Sequence, residues 1–175
     1  MFGDIKDSSK GWIKKQWKDV VLIQNGKDYK HIAVDDGGFP VYGSGGKMAR
    51  ASEYLCPENT IIVGRKGSIN NPLLVKEKFW NVDTAFGIIT KEELNYQYFY
   101  YFCKKFDFNT LNKATTLPST TKADLLKIEI NVPPIKLQNK FADIVQLIDK
   151  QKFNYINKIK LLNEIINIFL GGKKI

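Results

Sequence analysis

One histidine, two cysteines and two arginines in 175 residues leave few of the side chains that usually carry catalysis or hold metal. His31 is the lone imidazole, so a His-based metal site or a serine–histidine nucleophile would rest on that single side chain. A role in a turn or a half-buried position fits it better. Cys56 and Cys103 lie far apart with no further cysteine. Neither a disulfide framework nor a CxxC zinc site is supported, and a reducing, cytoplasmic setting is expected. No stretch approaches the ~20 uncharged apolar residues of a membrane span, and the segment from Met1 to Asp7 carries charges where a secretory leader needs an apolar run. A soluble chain with no membrane partner is expected.

Nucleotide and methyl-transfer signatures are missing as well. Gly43-Ser-Gly-Gly-Lys-Met has the outline of a phosphate loop, but that motif needs a glycine where the chain has Val41 and a hydroxyl where it has Met48. Met48 also occupies the last glycine position of the dinucleotide fingerprint. In Asn131-Val-Pro-Pro-Ile, Val132 interrupts the Asn-Pro-Pro-aromatic motif of amino-methyltransferases and Ile135 replaces its aromatic. Pro57-Glu58 has no acid-x-lysine triplet after it with which to build a metal-dependent nuclease site. The expectation is a protein that is not an enzyme and holds no cofactor or metal.

What the chain does have is cationic charge. Its formal charge of +9 comes almost entirely from lysine, Arg50 and Arg65 being the two arginines. A pI near 9.4 favours an anionic partner, with nucleic acid first. A composition rich in lysine, asparagine and isoleucine also follows from an AT-rich genome, so charge alone does not decide the matter. Two glycine-rich basic segments are more specific: Tyr42-Gly-Ser-Gly-Gly-Lys-Met-Ala-Arg and Val63-Gly-Arg-Lys-Gly-Ser-Ile. Glycine lets backbone N–H groups come close to an oxyanion, and the cations neutralise phosphate.

Candidate DNA contacts in the first segment are Ser44, Gly45, Gly46, Lys47 and Arg50, and in the second Arg65, Lys66, Gly67, Ser68 and Asn70. Either arginine could make the bidentate guanine contact, worth about 1–3 kcal/mol against a wrong base. Asn70, Asn71 and Asn112 have the geometry of adenine readers. A third segment, 112–122, sets hydroxyls beside lysines and adds Lys113, Thr115, Thr116, Ser119, Thr120 and Lys122. The competing reading is that these are ordinary tight turns with solvated cations, and that Thr121 and Asp124 cap a short helix.

The residues before Pro133 read as one mixed α/β body. Trp17-Lys-Asp-Val-Val-Leu-Ile packs an aromatic and aliphatic face, and short strands are expected at Phe39-Pro-Val-Tyr, Thr60-Ile-Ile-Val, Leu73-Leu-Val, Ala85-Phe-Gly-Ile-Ile and Ile128-Glu-Ile-Asn-Val. Lys91 to Leu111 reads as helix, with Thr90 and Glu93 set as a capping box and Leu94, Tyr98, Tyr101 and Phe102 on one face. Pro134 suits the first turn of a second, long helix that Gly171-Gly172 would stop.

The long helix carries a stripe: Leu137, Phe141, Ile144, Ile148, Gln151, Tyr155, Ile159, Leu162, Ile166 and Phe169 follow at steps of three and four, with one stutter between Gln151 and Ile159. At 1.5 Å per residue it would be roughly 50 Å long, too long to lie along one small domain. An antiparallel partner is therefore expected, a second copy or another protein, on Phe141, Ile144, Ile148, Tyr155, Ile159, Leu162, Ile166 and Phe169. The competing reading folds half of the helix back onto its own domain and frays the rest. The fold class is α+β, with a small sheet-plus-helix domain over residues 1–132 and one long coiled-coil-forming helix over residues 133–175.

Several short motifs occur in a telling order: Trp17-Lys-Asp-Val, Pro40-Val-Tyr-Gly-Ser-Gly-Gly, Ile62-Val-Gly-Arg-Lys-Gly-Ser-Ile, Phe79-Trp-Asn-Val-Asp-Thr-Ala, the Thr/Ser loop at 115–121, and Ile130-Asn-Val-Pro-Pro-Ile-Lys-Leu-Gln before the apolar helix. In this order the chain resembles half of a specificity subunit of a type I restriction-modification system, one target-recognition domain followed by one spacer helix. The resemblance implies a non-catalytic subunit that selects a double-stranded DNA sequence on behalf of separate adenine methyltransferase (modification) and restriction-translocase subunits. S-adenosylmethionine, ATP and magnesium would belong to those partners.

In such proteins two recognition domains each read half of a bipartite site, and an antiparallel pair of spacer helices fixes the gap. One domain and one helix imply self-association, and a homodimer would favour an interrupted palindrome. The resemblance places recognition on the loops around Ser44, Arg65 and Thr115, and offers Lys140, Lys150 and Lys158 as candidates for methyltransferase docking. Trp80 reads as core rather than a stacking platform. Two other readings remain: a solitary DNA-binding or interaction module acting as regulator or decoy, and a truncated product of a recombining specificity locus.

Overall fold

The computed structural model describes residues 11–112 and 117–170. β1 (Ile13–Gln16) runs directly into the one-turn α1 (Trp17–Val20) and β2 (Val21–Asn25). The hairpin of β3 (Phe39–Gly43) and β4 (Gly46–Ala51) follows, then β5 (Thr60–Gly64), β6 (Leu73–Val75), β7 (Trp80–Asn81) and β8 (Ala85–Thr90). α2 (Tyr96–Lys105), the one-turn α3 (Lys122–Leu125) and β9 (Glu129–Val132) complete the body, and α4 (Ile135–Phe169) leaves it.

An antiparallel sheet runs in the order β2-β8-β5-β6, and a second in the order β4-β3-β7, where β3 and β7 are parallel. β1 pairs with β9, which brings the start of the described chain beside the strand that feeds α4. Every residue of β5 is buried, as its unbroken Thr-Ile-Ile-Val-Gly run requires. The main core joins α1, β2, β5, β8, α2 and β9. At its centre Trp17 is wholly buried, with Phe99 edge-on at 4.9 Å and Phe108 at 6.1 Å. Trp17, Val20 and Val21 are all buried, as the sequence predicts for an opening segment with an aromatic and aliphatic face.

The helix expected over Lys91–Leu111 is shorter. α2 starts only after Asn95, whose side-chain oxygen accepts from the N–H groups of Gln97 and Tyr98. Thr90 instead ends β8, and Glu93 pairs with Lys15 at 2.5 Å, so the Thr90–Glu93 capping box does not form. Asp107 opens a separate 3-10 turn over Phe108–Leu111. Leu94, Tyr98 and Phe102 face the core as expected, but Tyr101 does not: it is exposed on the flank, where its ring meets Phe141 of α4 at 5.4 Å.

α4 begins at Ile135, with Pro134 just outside it as N-cap rather than in its first turn. It docks on the body through Gln138, Ala142 and Val145, the spacing of one helical face, rotated away from the predicted stripe. Phe141 is the stripe member nearest this contact and is half-buried against Tyr98 and Tyr101. From Gln146 to Leu170 every residue is exposed. The competing reading of a helix lying on its own domain thus holds for about three turns, and the remainder continues as regular helix. Gly171 and Gly172 lie outside the described residues.

Candidate nucleic-acid interface

The first basic segment divides into two parts. Ser44 and Gly45 form the turn of the β3–β4 hairpin, while Gly46, Lys47 and Arg50 belong to β4. Lys47 is exposed on this strand. Arg50 lies near the far end, where its guanidinium donates to the carbonyls of Gly37 and, at 2.9 Å, Gly38. Its charge braces the turn that leads into β3.

After β5 the chain folds back very tightly. A Cβ on Gly64 would come 2.4 Å from the carbonyl oxygen of Ser68, so glycine alone permits this approach. Gly67 takes φ +77°, and Ile69 anchors the far side as a buried residue. The N–H groups of Arg65 and Lys66 both donate to the carbonyl of Thr84, at 2.8 and 3.3 Å. Arg65, Lys66 and Ser68 are exposed along the rim of this loop, and the Arg65 guanidinium lies 5.9 Å from the centre of the Phe86 ring.

The third segment lies against the second. Gly67 N–H donates to the carbonyl of Pro118 at 3.0 Å, and Thr120 N–H to that of Arg65 at 3.0 Å. Lys66 and Ser119 form an antiparallel bridge. The buried Thr120 hydroxyl donates to the Gly64 carbonyl at 2.8 Å. From the first segment, the Ser44 hydroxyl donates to the carbonyl of Lys66 at 3.2 Å. Three stretches separated by tens of residues therefore meet around Lys66, and their backbones and hydroxyls satisfy one another there.

Other candidates act as braces. Asn70 accepts from Phe108 N–H at 2.8 Å and Asn112 from Ser119 N–H at 3.0 Å. The Lys122 ammonium donates to the Ile23 carbonyl at 2.8 Å. Thr121 and Asp124 do cap a short helix, α3, with Thr121 Oγ accepting from Asp124 N–H. Trp80 is core, its indole N–H donating to the Lys27 carbonyl at 2.9 Å. His31 is exposed in a single 3-10 turn, edge-on to Trp80. Lys113, Thr115 and Thr116 lie outside the described residues. Thr84, whose carbonyl organises the Arg65 loop, was not singled out by sequence reasoning; its only signal is its place in the Phe79–Ala85 motif.

The fold recurs in part of two solved structures. The chain shares its fold with the S subunit of the type I restriction-modification system from M. genitalium, at a TM-score of 0.70 and 20% identity over 87% of this chain and 43% of that one. The HsdS subunit from Thermoanaerobacter tengcongensis has the same fold, at a TM-score of 0.65 and 16% identity over 83% of this chain and 39% of that one.

Residues 9–167 match the type I restriction modification DNA specificity domain, and the chain belongs to that family. A protein of Mycoplasma pneumoniae named as a type I specificity subunit is 22% identical over 144 residues, which is 77% of this chain and 47% of that protein. The chain spans less than half the length of each of these relatives. Its family is one of DNA specificity, not catalysis, and the chain is not an enzyme. Among the described residues, no helix is long and apolar enough to cross a membrane.

Proposed function

We propose that this chain is the DNA sequence-recognition component of a type I restriction-modification system, with residues 1–132 as target-recognition domain and 133–175 as spacer and pairing helix. The observation that carries this reading is the convergence around Lys66. Three candidate segments found independently along the sequence are fastened to one another by the Ser44, Gly67 and Thr120 hydrogen bonds. Such fastening holds exposed cations and hydroxyls in fixed relative positions, which sequence readout demands.

Within that surface, Arg65 is assigned the base-reading role, because its planar fork can meet two guanine acceptors at once. Lys47 and Lys66 neutralise phosphate, and Ser44, Ser68 and Ser119 offer hydroxyls, with Gly45, Gly46 and Gly67 supplying backbone approach. Lys113, Thr115 and Thr116 are assigned to the same surface from the sequence. Arg50, Asn70, Thr120 and Lys122 are assigned to holding the loops in shape rather than to touching bases.

The working unit is a homodimer joined through α4, which targets a bipartite, interrupted palindrome for adenine methyltransferase subunits and a restriction-translocase subunit. Those partners supply S-adenosylmethionine, ATP and magnesium. Lys140, Lys150 and Lys158 are the positions assigned to methyltransferase docking.

The test is the mass in solution by light scattering, alone and then mixed with a methyltransferase subunit from the same source. A dimer that gains two methyltransferase subunits is the expected result. A monomer that ignores the methyltransferase yet binds duplex DNA tightly overturns it in favour of a solitary DNA-binding module.

A further inference from the structure

We infer that α4 pairs with a second copy in a single register, with the two-fold axis at Gln151. The inference rests on the homodimer reading above and adds the register to it. The stripe is open from Ile144 onward, from 38% exposed there to 84% at Phe169, while Phe141 is half-buried on the body. α4 runs from Ile135 to Phe169, so its midpoint is Lys152, and the stripe position nearest that midpoint is Gln151, the one amide among apolar residues.

In an antiparallel two-fold pair, a residue on the axis faces its own copy. With the axis at Gln151 the two amides meet, and each can donate to and accept from the other. Shifting the axis to Tyr155 sets Gln151 against Ile159, and shifting it to Ile148 sets Gln151 against Val145. Either shift buries two amides without partners, which is how a single polar seam residue fixes a register.

An axis at Gln151 carries the partner's Phe169 to the level of Pro133, where the chain enters α4, so the two helices overlap along their whole length. Full overlap gives a seam of about 50 Å, and at a helix width of about 10 Å it covers roughly 1,000 Å² across both copies, the scale of a specific interface. Pairing of the free part alone would give a seam about two-thirds as long. The register also fixes the distance between the two Lys66 surfaces, and with it the number of base pairs between half-sites.

The test is disulfide trapping in the full-length protein, where native Cys56 and Cys103 are buried and do not compete. Gln151→Cys is expected to link to its own copy at least about tenfold faster than Ile148→Cys or Tyr155→Cys, whose copies sit roughly 9–12 Å apart along the seam, beyond disulfide reach. Phe169→Ala is expected to raise the dimer dissociation constant at least about tenfold, as loss of an aromatic from the seam does, while Phe153→Ala, off the stripe, leaves it unchanged. A dimer that links faster through position 148 or 155 overturns the register with the homodimer intact, and an unchanged constant for Phe169→Ala overturns the full overlap of the two helices. A monomer by light scattering removes the homodimer itself and the register with it.

Discussion

The side chain of Gln138 accepts from the N–H of Asn95 at 2.8 Å while donating to the carbonyls of Pro133 at 2.8 Å and Glu93 at 3.1 Å. Gln138 is wholly buried, and Asn95 is itself the N-cap of α2. One amide therefore locks the first turn of α4 to the first turn of α2, and the long helix leaves the body in a set direction. Gln138→Leu keeps the volume and removes the partners of three backbone groups. It is expected to lower stability by about 3 kcal/mol, because unsatisfied buried groups cost about 1–3 kcal/mol each and some regain water. Urea unfolding measures the loss, and faster amide exchange at Ala142 and Val145 would place it at the helix contact.

The two arginines are expected to separate cleanly. Arg65 is exposed on the convergent surface, whereas Arg50 is held by the Gly37 and Gly38 carbonyls. Arg65→Ala should leave unfolding unchanged and weaken binding to the preferred site by about 1–3 kcal/mol, with relaxed preference at one base position. A uniform loss across sequences with a shallower salt slope would make Arg65 a phosphate contact instead. Arg50→Ala should cost about 1 kcal/mol of stability and leave base preference as it was. Binding is measured on duplexes with the methyltransferase subunit present.

Much of the body is legible in the sequence, and the reason is local. β3, β5, β6, β8 and β9 are short apolar runs bounded by Gly, Pro or Asn, and each begins within a residue of where those signals put it. β1 is not legible: Ile-Lys-Lys-Gln is polar, and it becomes a strand only because β9, more than a hundred residues away, pairs with it. β7 is two residues held beside β3. β4 reads as loop because Gly-Lys-Met-Ala-Arg-Ala has no β-branched residue. The three basic segments can be found one by one, but their meeting at Lys66 depends on long-range hydrogen bonds. The same limit hides the bracing roles of Arg50, Asn70 and Lys122, each of which bonds to backbone that the chain reaches only after folding.

The Gly64 turn is a point at which the proposed recognition surface can be broken. Gly64→Ala forces a Cβ toward the Ser68 carbonyl and the Ile69 backbone. Its expected cost is about 1–3 kcal/mol, with the Arg65 loop displaced. Thr120→Val is the gentler companion, removing the hydroxyl that donates to Gly64 at 2.8 Å with little change of shape. Its expected cost is about 1–2 kcal/mol. Both should weaken DNA binding beyond the loss in folded fraction, measured by comparing binding and urea titrations on the same samples. Undiminished DNA binding by folded Gly64→Ala would remove this loop from the interface.

Alkaline pH should unfold the protein for an identifiable reason. Burial pushes the Cys56 thiol up to about 12 from 9.0, and the Tyr98 hydroxyl, which donates to the Asn131 carbonyl at 2.8 Å, up to about 12 from 10.0. Burial raises Cys103 well above its ordinary value too. In the unfolded chain each group ionises at lower pH than in the fold, so the unfolded state releases its protons first and gains ground as pH rises. Their contribution to stability is complete below about pH 9 and is lost as pH climbs toward about 12. The urea midpoint should be flat to about pH 9 on their account and then fall, and Cys56→Ala should make that fall shallower.

Leu162 tests the proposed pairing of α4 without touching the body. It is exposed on the free part of α4, well past the last buried contact at Val145. Leu162→Asp should therefore leave the unfolding transition of the body where it is. In a paired helix the same substitution buries a carboxylate in each copy, which still costs several kcal/mol per charge after relaxation. The expected result is a monomer by light scattering at concentrations where the parent is a dimer. Such a monomer should still carry its recognition surface, so it should bind a half-site duplex as weakly as one arm alone and lose the preference for a fixed gap between half-sites. A Leu162→Asp protein that keeps both its mass and its spacing preference would show that α4 pairs through another face.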